Sequence, residues 1–203
     1  MSDLVRGKYP VTDPKWSLMG QPSNASQAGV AARTNYTHGL ALTDGAALSS
    51  GVATAVAIPV EIGDVITAID VIVGATAEAT GTHAYAALYS GIATPALLAQ
   101  STDATGAAAV AASARFSFTL ASAVTITSAI APTGFVYASI CVTATTVPTL
   151  ASFTVAAAVA YQWFSTAPAK MGAVTHGSGL VGVAPATIAS PAAQAVTPVV
   201  FLR

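Results

Sequence analysis

The side chains able to do chemistry in this chain are few and widely spaced. Three histidines, His38, His83 and His176, stand far apart, and none sits at a spacing that metal sites use. Each is expected to be an ordinary surface or hydrogen-bonded core histidine. Beyond the first 46 residues the carboxylates are Glu61, Asp64, Asp70, Glu78 and Asp103. Glu61 and Asp64 flank Gly63 in a loop and could help hold a cation. A calcium site, however, needs several oxygen ligands at tight spacing, and no run of this chain supplies them. Asp103 lies in Ser101-Thr-Asp-Ala-Thr-Gly106, which reads as a turn whose carboxylate caps backbone amides. Gly177-Ser-Gly179 lacks the flanking pattern of a nucleophile elbow, and there is no Gly-rich phosphate loop. The expectation is a protein that is not an enzyme, with no catalytic, cofactor-binding or metal-binding residues.

Aromatic binding is the chemistry that remains. Tyr161, Trp163 and Phe164 form the densest aromatic cluster. They could stack on a sugar ring or anchor a subunit interface, where Trp and Tyr are enriched. The absence of neighbouring Asp, Asn or Arg to grip a sugar favours the interface. Near the N-terminus, Trp16, Leu18 and Met19 are the residues expected to dock an otherwise irregular segment onto a partner.

The elements that must position these groups are nearly devoid of charge. Charged residues make up 7% of the chain, against about 25% in soluble domains. Between Ala104 and Leu202 the charged side chains are Arg115 and Lys170. A surface carpeted with Ala, Thr, Ser, Val and Gly repels neighbours weakly and loses little on being covered. That favours life inside a larger assembly. The mean hydropathy of +0.67 raises the question of a membrane. Yet the apolar runs are cut by Ala131-Pro-Thr-Gly134, Thr145-Thr-Val-Pro-Thr149 and Ser165-Thr-Ala-Pro168, well short of the about 20 residues a spanning helix needs. An aromatic content of 7% leaves no girdles for an outer-membrane barrel, so no membrane insertion is expected. A formal net charge of -1 argues against nucleic-acid binding. The N-terminal residues do not read as a secretory signal. The single Cys141 has no disulfide partner within the chain and reads as a small buried hydrophobe, in keeping with synthesis in a reducing cytoplasm.

Composition divides the chain near residue 46. The first 46 residues hold seven of the fifteen charged side chains and a turn-rich run, and read as an extended irregular attachment arm, with a short helix around residues 26–33. From Gly51 the pattern becomes period two. Val52, Thr54, Val56 and Ile58 alternate with Ala53, Ala55 and Ala57. Val65–Val73, His83–Ser90, Phe116–Leu120, Ala123–Ile130, Phe135–Thr143 and Ser152–Val159 continue as strands, and Pro198–Leu202 closes the series. Ala107–Ala114 is ambiguous between helix and strand, and the missing 3.6 period favours strand. Short strands at this spacing predict an all-β, antiparallel sandwich over residues 47–203, jelly-roll-like, with immunoglobulin-like order left open.

Certain runs carry a resemblance. Val65-Ile-Thr-Ala-Ile-Asp-Val-Ile-Val73, Tyr85-Ala-Ala-Leu-Tyr89, Thr94-Pro-Ala-Leu-Leu-Ala-Gln-Ser-Thr102, Arg115-Phe-Ser-Phe-Thr-Leu120 and Phe135-Val-Tyr-Ala-Ser139 together look like a β-sandwich module. The module resembles those of virion accessory proteins of tailed bacteriophages that infect actinobacteria, over residues 50–145. The resemblance implies a non-enzymatic structural protein of the virion, either a capsid decoration or a minor tail protein. It also implies a homotrimer, attached to other virion proteins through the 1–46 arm. The alternative is a receptor- or carbohydrate-binding module of a phage tail, gripping a host-surface glycan with Tyr161–Phe164 or with the loops around Gly74–Thr82.

Overall fold

The computed structural model describes residues 33–36, 42–45, 47–104, 110–154 and 172–203. Among the described residues thirteen strands run in chain order. They are β1 (Arg33–Thr34), β2 (Thr43–Asp44), β3 (Ala53–Pro59), β4 (Val65–Ile72), β5 (Ala79–Tyr89), β6 (Leu97–Gln100) and β7 (Arg115–Thr125). β8 (Phe135–Thr146), β9 (Ala151–Thr154), β10 (Ala173–His176), β11 (Ala192–Gln194), β12 (Val196–Pro198) and β13 (Val200–Leu202) complete the series. Every pairing is antiparallel, and no helix occurs among the described residues.

Four of the pairings are nested. β5 pairs with β6, β4 with β7 around it, β3 with β8 around those, and β1 with β13 outermost. A long antiparallel ribbon with this nesting, wrapped so that β4 also meets β13 and β5 also meets β8, gives two sheets. Their orders are β1-β13-β4-β7 and β3-β8-β5-β6, the latter extended beyond β3 by β10 and β11. This is the strand order of a jelly roll. A small sheet, β12-β9-β2, closes one flank.

Period-two alternation decides which side chains fill the sandwich. Val56 and Ile58 of β3, Ala84, Ala86 and Leu88 of β5, and Ile140 and Val142 of β8 face Ile69 and Val71 of β4, Phe118 and Leu120 of β7, and Val200 and Leu202 of β13. Their burial is the main source of stability, at about 25 cal/mol per Å2 of apolar surface. The turn expected at Ala131-Pro-Thr-Gly134 is present. Gly134 takes φ +75, and its amide donates to the Ala131 carbonyl at 3.0 Å.

Four boundaries differ from expectation. The sandwich reaches into the segment assigned to an arm, because Arg33 and Thr34 pair with Leu202 and Phe201, and Thr43 and Asp44 pair with β9. Arg33, expected at the end of a short helix, is therefore in a strand, and the rest of that expected helix lies outside the described residues. Phe116–Leu120 and the first part of Ala123–Ile130 are one strand, β7, which bulges opposite Thr67. Residues 110–114 form a turn and not a strand, with Ser113 at φ +54, so Ala richness there marks a connection.

Candidate functional site

The six-stranded sheet is buried on both faces. Ala53, Ala55 and Ala57 of β3, with Ala87, Tyr85 and Tyr89 of β5, Tyr137 and Cys141 of β8 and Val174 of β10, point away from the sandwich. These residues are nonetheless buried, beneath Ala184 and Ile188. The cover is a strap, residues 177–188. Alanine rows make a shallow floor, so a strap without regular structure can lie close against the sheet.

A strap on an apolar floor must satisfy its own backbone, and the floor supplies the partners. The Tyr85 and Tyr89 hydroxyls donate to the carbonyls of Val183 (3.1 Å) and Pro185 (2.9 Å). Gln100 donates from Nε2 to the Gly182 carbonyl and accepts at Oε1 from the Ala184 amide, both at 2.7 Å. Thr143 donates to the Leu180 carbonyl at 2.9 Å. These contacts turn Val181 and Val183 outward, 65% and 69% exposed. Burial raises the pKa of Tyr85 and Tyr89, pushes Tyr137 up to about 12 and raises that of Cys141. The tyrosines are therefore hydrogen-bonding posts, and Cys141 is the buried thiol its strand suggested.

Two histidines resemble catalytic arrangements and differ in access. His83 Nδ1 lies 2.6 Å from Asp103 Oδ2, while Asp103 Oδ1 accepts the Ala84 amide at 2.9 Å. Asp103 thus caps a backbone amide on β5. Gly182 lies directly on this pair. A Cβ there would meet Asp103 Oδ2 at 2.5 Å and His83 Nδ1 at 3.0 Å, at a φ of +73 that glycine alone adopts at little cost. His176 Nε2 lies 2.9 Å from the Ser139 hydroxyl, and its ring stands edge-on to Tyr89. Both Ser139 and His176 are 3% exposed, and His176 Nδ1 has no partner among the described residues. Burial pushes the His176 pKa down to about 4. Among the described residues the pair is closed off from solvent and no group orients the imidazole as one orients a catalytic base.

Among the described residues most charges are tied to one another. Arg33 forks onto Asp64, Nε to Oδ2 and Nη2 to Oδ1, each at 2.8 Å, with Glu61 at 3.3 Å. The loop carboxylates that could hold a cation hold this guanidinium. Burial opposes its charge, but the bonds and charges of Asp64 and Glu61 more than offset that and raise its pKa. Asp70, on the outer face of β4, is 3% exposed beneath Arg203 and Arg115, whose Nε atoms stand 3.4 and 3.8 Å away. Glu78, in the loop before β5, is 6% exposed with neither carboxylate oxygen paired among the described residues, and burial raises its pKa.

A cavity of about 140 Å3 lies where the small sheet meets β3, β10 and β11, lined by Ser49, Thr54, Leu150, Ser152, Gln194 and Val196. The expected interface or ligand aromatics Tyr161, Trp163 and Phe164, and the arm anchors Trp16, Leu18 and Met19, lie outside the described residues, as does His38. Among the described residues no group of three or more His, Cys, Asp or Glu side chains could hold a metal ion. No helix there is long and apolar enough to cross a membrane. Sequence reasoning did not single out Arg33, Asp70, Ser139 or the strap, since none carries a local motif. Compared with known proteins, the sequence matches no protein-family model and no curated protein sequence.

Proposed function

We propose that this protein is a non-enzymatic structural subunit of a tailed-bacteriophage virion, a capsid decoration or minor tail protein, that works as a homo-oligomer. The observation that carries the reading is a jelly roll whose described charges are mostly paired with one another within the chain. Arg33 with Asp64 and Glu61, Asp70 with Arg115 and Arg203, and His83 with Asp103 account for most of the described charged side chains. What remains outside is Ala, Thr, Ser and Val, with Ile62, Val65, Val181 and Val183 each more than half exposed. Such a surface gains by being covered. Jelly rolls recur in viral capsid proteins and also in lectins, so the fold supports the virion reading by analogy, and the charge pattern favours assembly over ligand binding.

The strap adds a mechanical reason. It leaves the outer face of the six-stranded sheet closed by the chain itself, so contacts with neighbours fall to the four-stranded sheet, the loops and the strap's own outer side. The test is the mass of the full chain in solution by light scattering. A stable species of three times the 20.0 kDa chain mass is expected. A monodisperse monomer at every concentration would overturn the assembly reading.

A further inference from the structure

The two charge clusters at the four-stranded sheet are unequal in a complementary way. At the start of β4, one guanidinium, Arg33, serves two carboxylates, Asp64 and Glu61, leaving an excess negative charge. Further along β4, one carboxylate, Asp70, serves two guanidiniums, Arg115 and Arg203, leaving an excess positive charge. Their internal satisfaction also differs. Arg33 and Asp64 meet as a bidentate fork at 2.8 Å. The Asp70 contacts are longer, at 3.4 and 3.8 Å, and neither Asp70 Oδ1 nor Arg203 Nε has a hydrogen-bond partner among the described residues. The Arg115 side chain is 63% exposed and that of Arg203 36%; Arg203 Nη2 donates to Ser117 Oγ at 3.0 Å and its Nε is buried, so the spare donors above the buried carboxylate come chiefly from Arg115.

Apolar groups accompany both clusters. Ile62, next to Glu61, is 72% exposed, and Val65 is 52% exposed. Phe201 sits opposite Asp70 in the β13–β4 register and is half-buried on the same outer face, because its neighbours Val200 and Leu202 point into the sandwich. The Glu61 side chain is 48% exposed and holds Arg33 only through the weaker contacts of that cluster, 3.3 and 3.5 Å, so it has acceptor capacity to offer.

We infer that the outward-facing Arg115–Arg203 pair is a carboxylate-binding subunit contact, and that its occupant is the Glu61–Ile62 loop of a second copy of this chain. Glu61 supplies the acceptor for the two guanidiniums, and Ile62 packs beside Phe201. Charge complementarity selects the occupant: of the exposed described carboxylates, Glu61 and Asp44, Glu61 is the one that adjoins the most exposed large hydrophobic side chain, Ile62. The donor and acceptor patches occupy different places on one subunit. Repeated in one rotational sense, a contact between them is head to tail, the kind that forms a ring where the rotation closes, and in the trimer three such contacts close it. The inference rests on the assembly reading above.

Its test uses the full chain and three variants, Arg115→Glu, Glu61→Lys and the double variant, followed by light scattering over a dilution series at low and high salt. Each single variant places like charges in every contact. The concentration at which the assembly dissociates should then rise by about tenfold or more. The double variant reverses both charges and should regain most of the loss, and added salt should weaken wild type and double variant alike. Circular dichroism verifies folding, and Glu61→Gln replaces Glu61→Lys if a lysine beside Arg33 unfolds the loop. Single variants that dissociate at the wild-type concentration, or a double variant no better than the singles, overturn the contact. A wild type that never associates overturns the assembly reading as well, whereas an assembled wild type with an indifferent Arg115→Glu variant overturns this contact alone.

Discussion

Removing the Arg33 side chain should be among the most damaging single changes to this fold, although β1 is only two residues long. The Arg33 and Asp64 side chains are each 10% exposed and joined by two hydrogen bonds of 2.8 Å across 31 residues of sequence. Arg33→Ala leaves Asp64 with the Glu61 amide, 2.8 Å away, as its remaining described donor. Breaking a buried ion pair by deleting one member costs about 3–5 kcal/mol. That amide bond and the 10% exposure let the carboxylate partly rehydrate, so the lower end, about 3 kcal/mol, applies. For a chain of this length 1 kcal/mol shifts the melting temperature by about 2–4 °C, which predicts a fall of about 6–12 °C at pH 7. Arg33→Lys should fall in between, since lysine keeps the charge and loses the fork. Differential scanning calorimetry measures both. In a double-mutant cycle, Asp64→Ala should add little once Arg33 is gone. A melting point within about 2 °C of wild type for Arg33→Ala, or additive losses in the cycle, would refute the clamp.

Other consequences follow from single sites. His176 has a pKa depressed to about 4 in the folded state against an ordinary 6.5. As pH falls below 6.5 the unfolded chain takes up a proton that the folded chain refuses, so stability drops towards pH 4, by about 2 kcal/mol at pH 5. His176→Gln should flatten that part of the melting-temperature profile, and an unchanged acid slope would sink the assignment. Glu78 has the opposite sign. Its raised pKa means that stability present below the ordinary glutamate range is lost as pH rises. Glu78→Gln should therefore melt above wild type at pH 8 and converge with it in acid, and a constant offset would contradict this. Gly182→Ala forces a left-handed φ of +73 on alanine and a Cβ against Asp103. It should cost at least about 1 kcal/mol and shift the His83 ring resonances, whereas unmoved resonances would show that the strap does not press on that pair. Finally, an equimolar mixture of Arg115→Glu and Glu61→Lys offers favourable contacts only between unlike subunits. In a head-to-tail ring it should build assemblies of even subunit number, and a restored trimer would contradict that geometry.

Alternation made much of the sandwich legible. The Val/Ala rhythm of β3, the β-branched run of β4, the Tyr/Ala rhythm of β5 and the Phe/Ser rhythm of β7 each announce a strand, because successive side chains on a strand face opposite ways. What alternation does not reveal is which face is free. In β5 the row of Tyr85 and Tyr89 alternates with Ala84, Ala86 and Leu88 without announcing which points inward; the sandwich is filled by Ala84, Ala86 and Leu88, and the tyrosines support the strap. The short strands β1, β2, β6 and β10 to β12 span two to four residues and are too brief to show a period. The candidate sites were less legible still. Ser139 and His176 are 37 residues apart, and Asp70 meets Arg203 only because β13 pairs with β4. No local spacing encodes such encounters.

Taken by itself, the sequence determined the class of this protein. Period-two hydrophobicity with frequent turn residues admits a sandwich and little else, and so few charges demand that what remains be covered or paired. The tertiary structure alone decided the jelly-roll order, the closure of one sheet by residues 177–188, and the partition of the charges into one cluster short of a cation and one with a cation to spare. Composition is additive along the chain and can be read in any order. Pairing depends on which strands become neighbours, and that is fixed only when the whole ribbon has wrapped and the outermost strands, β1 and β13, have met.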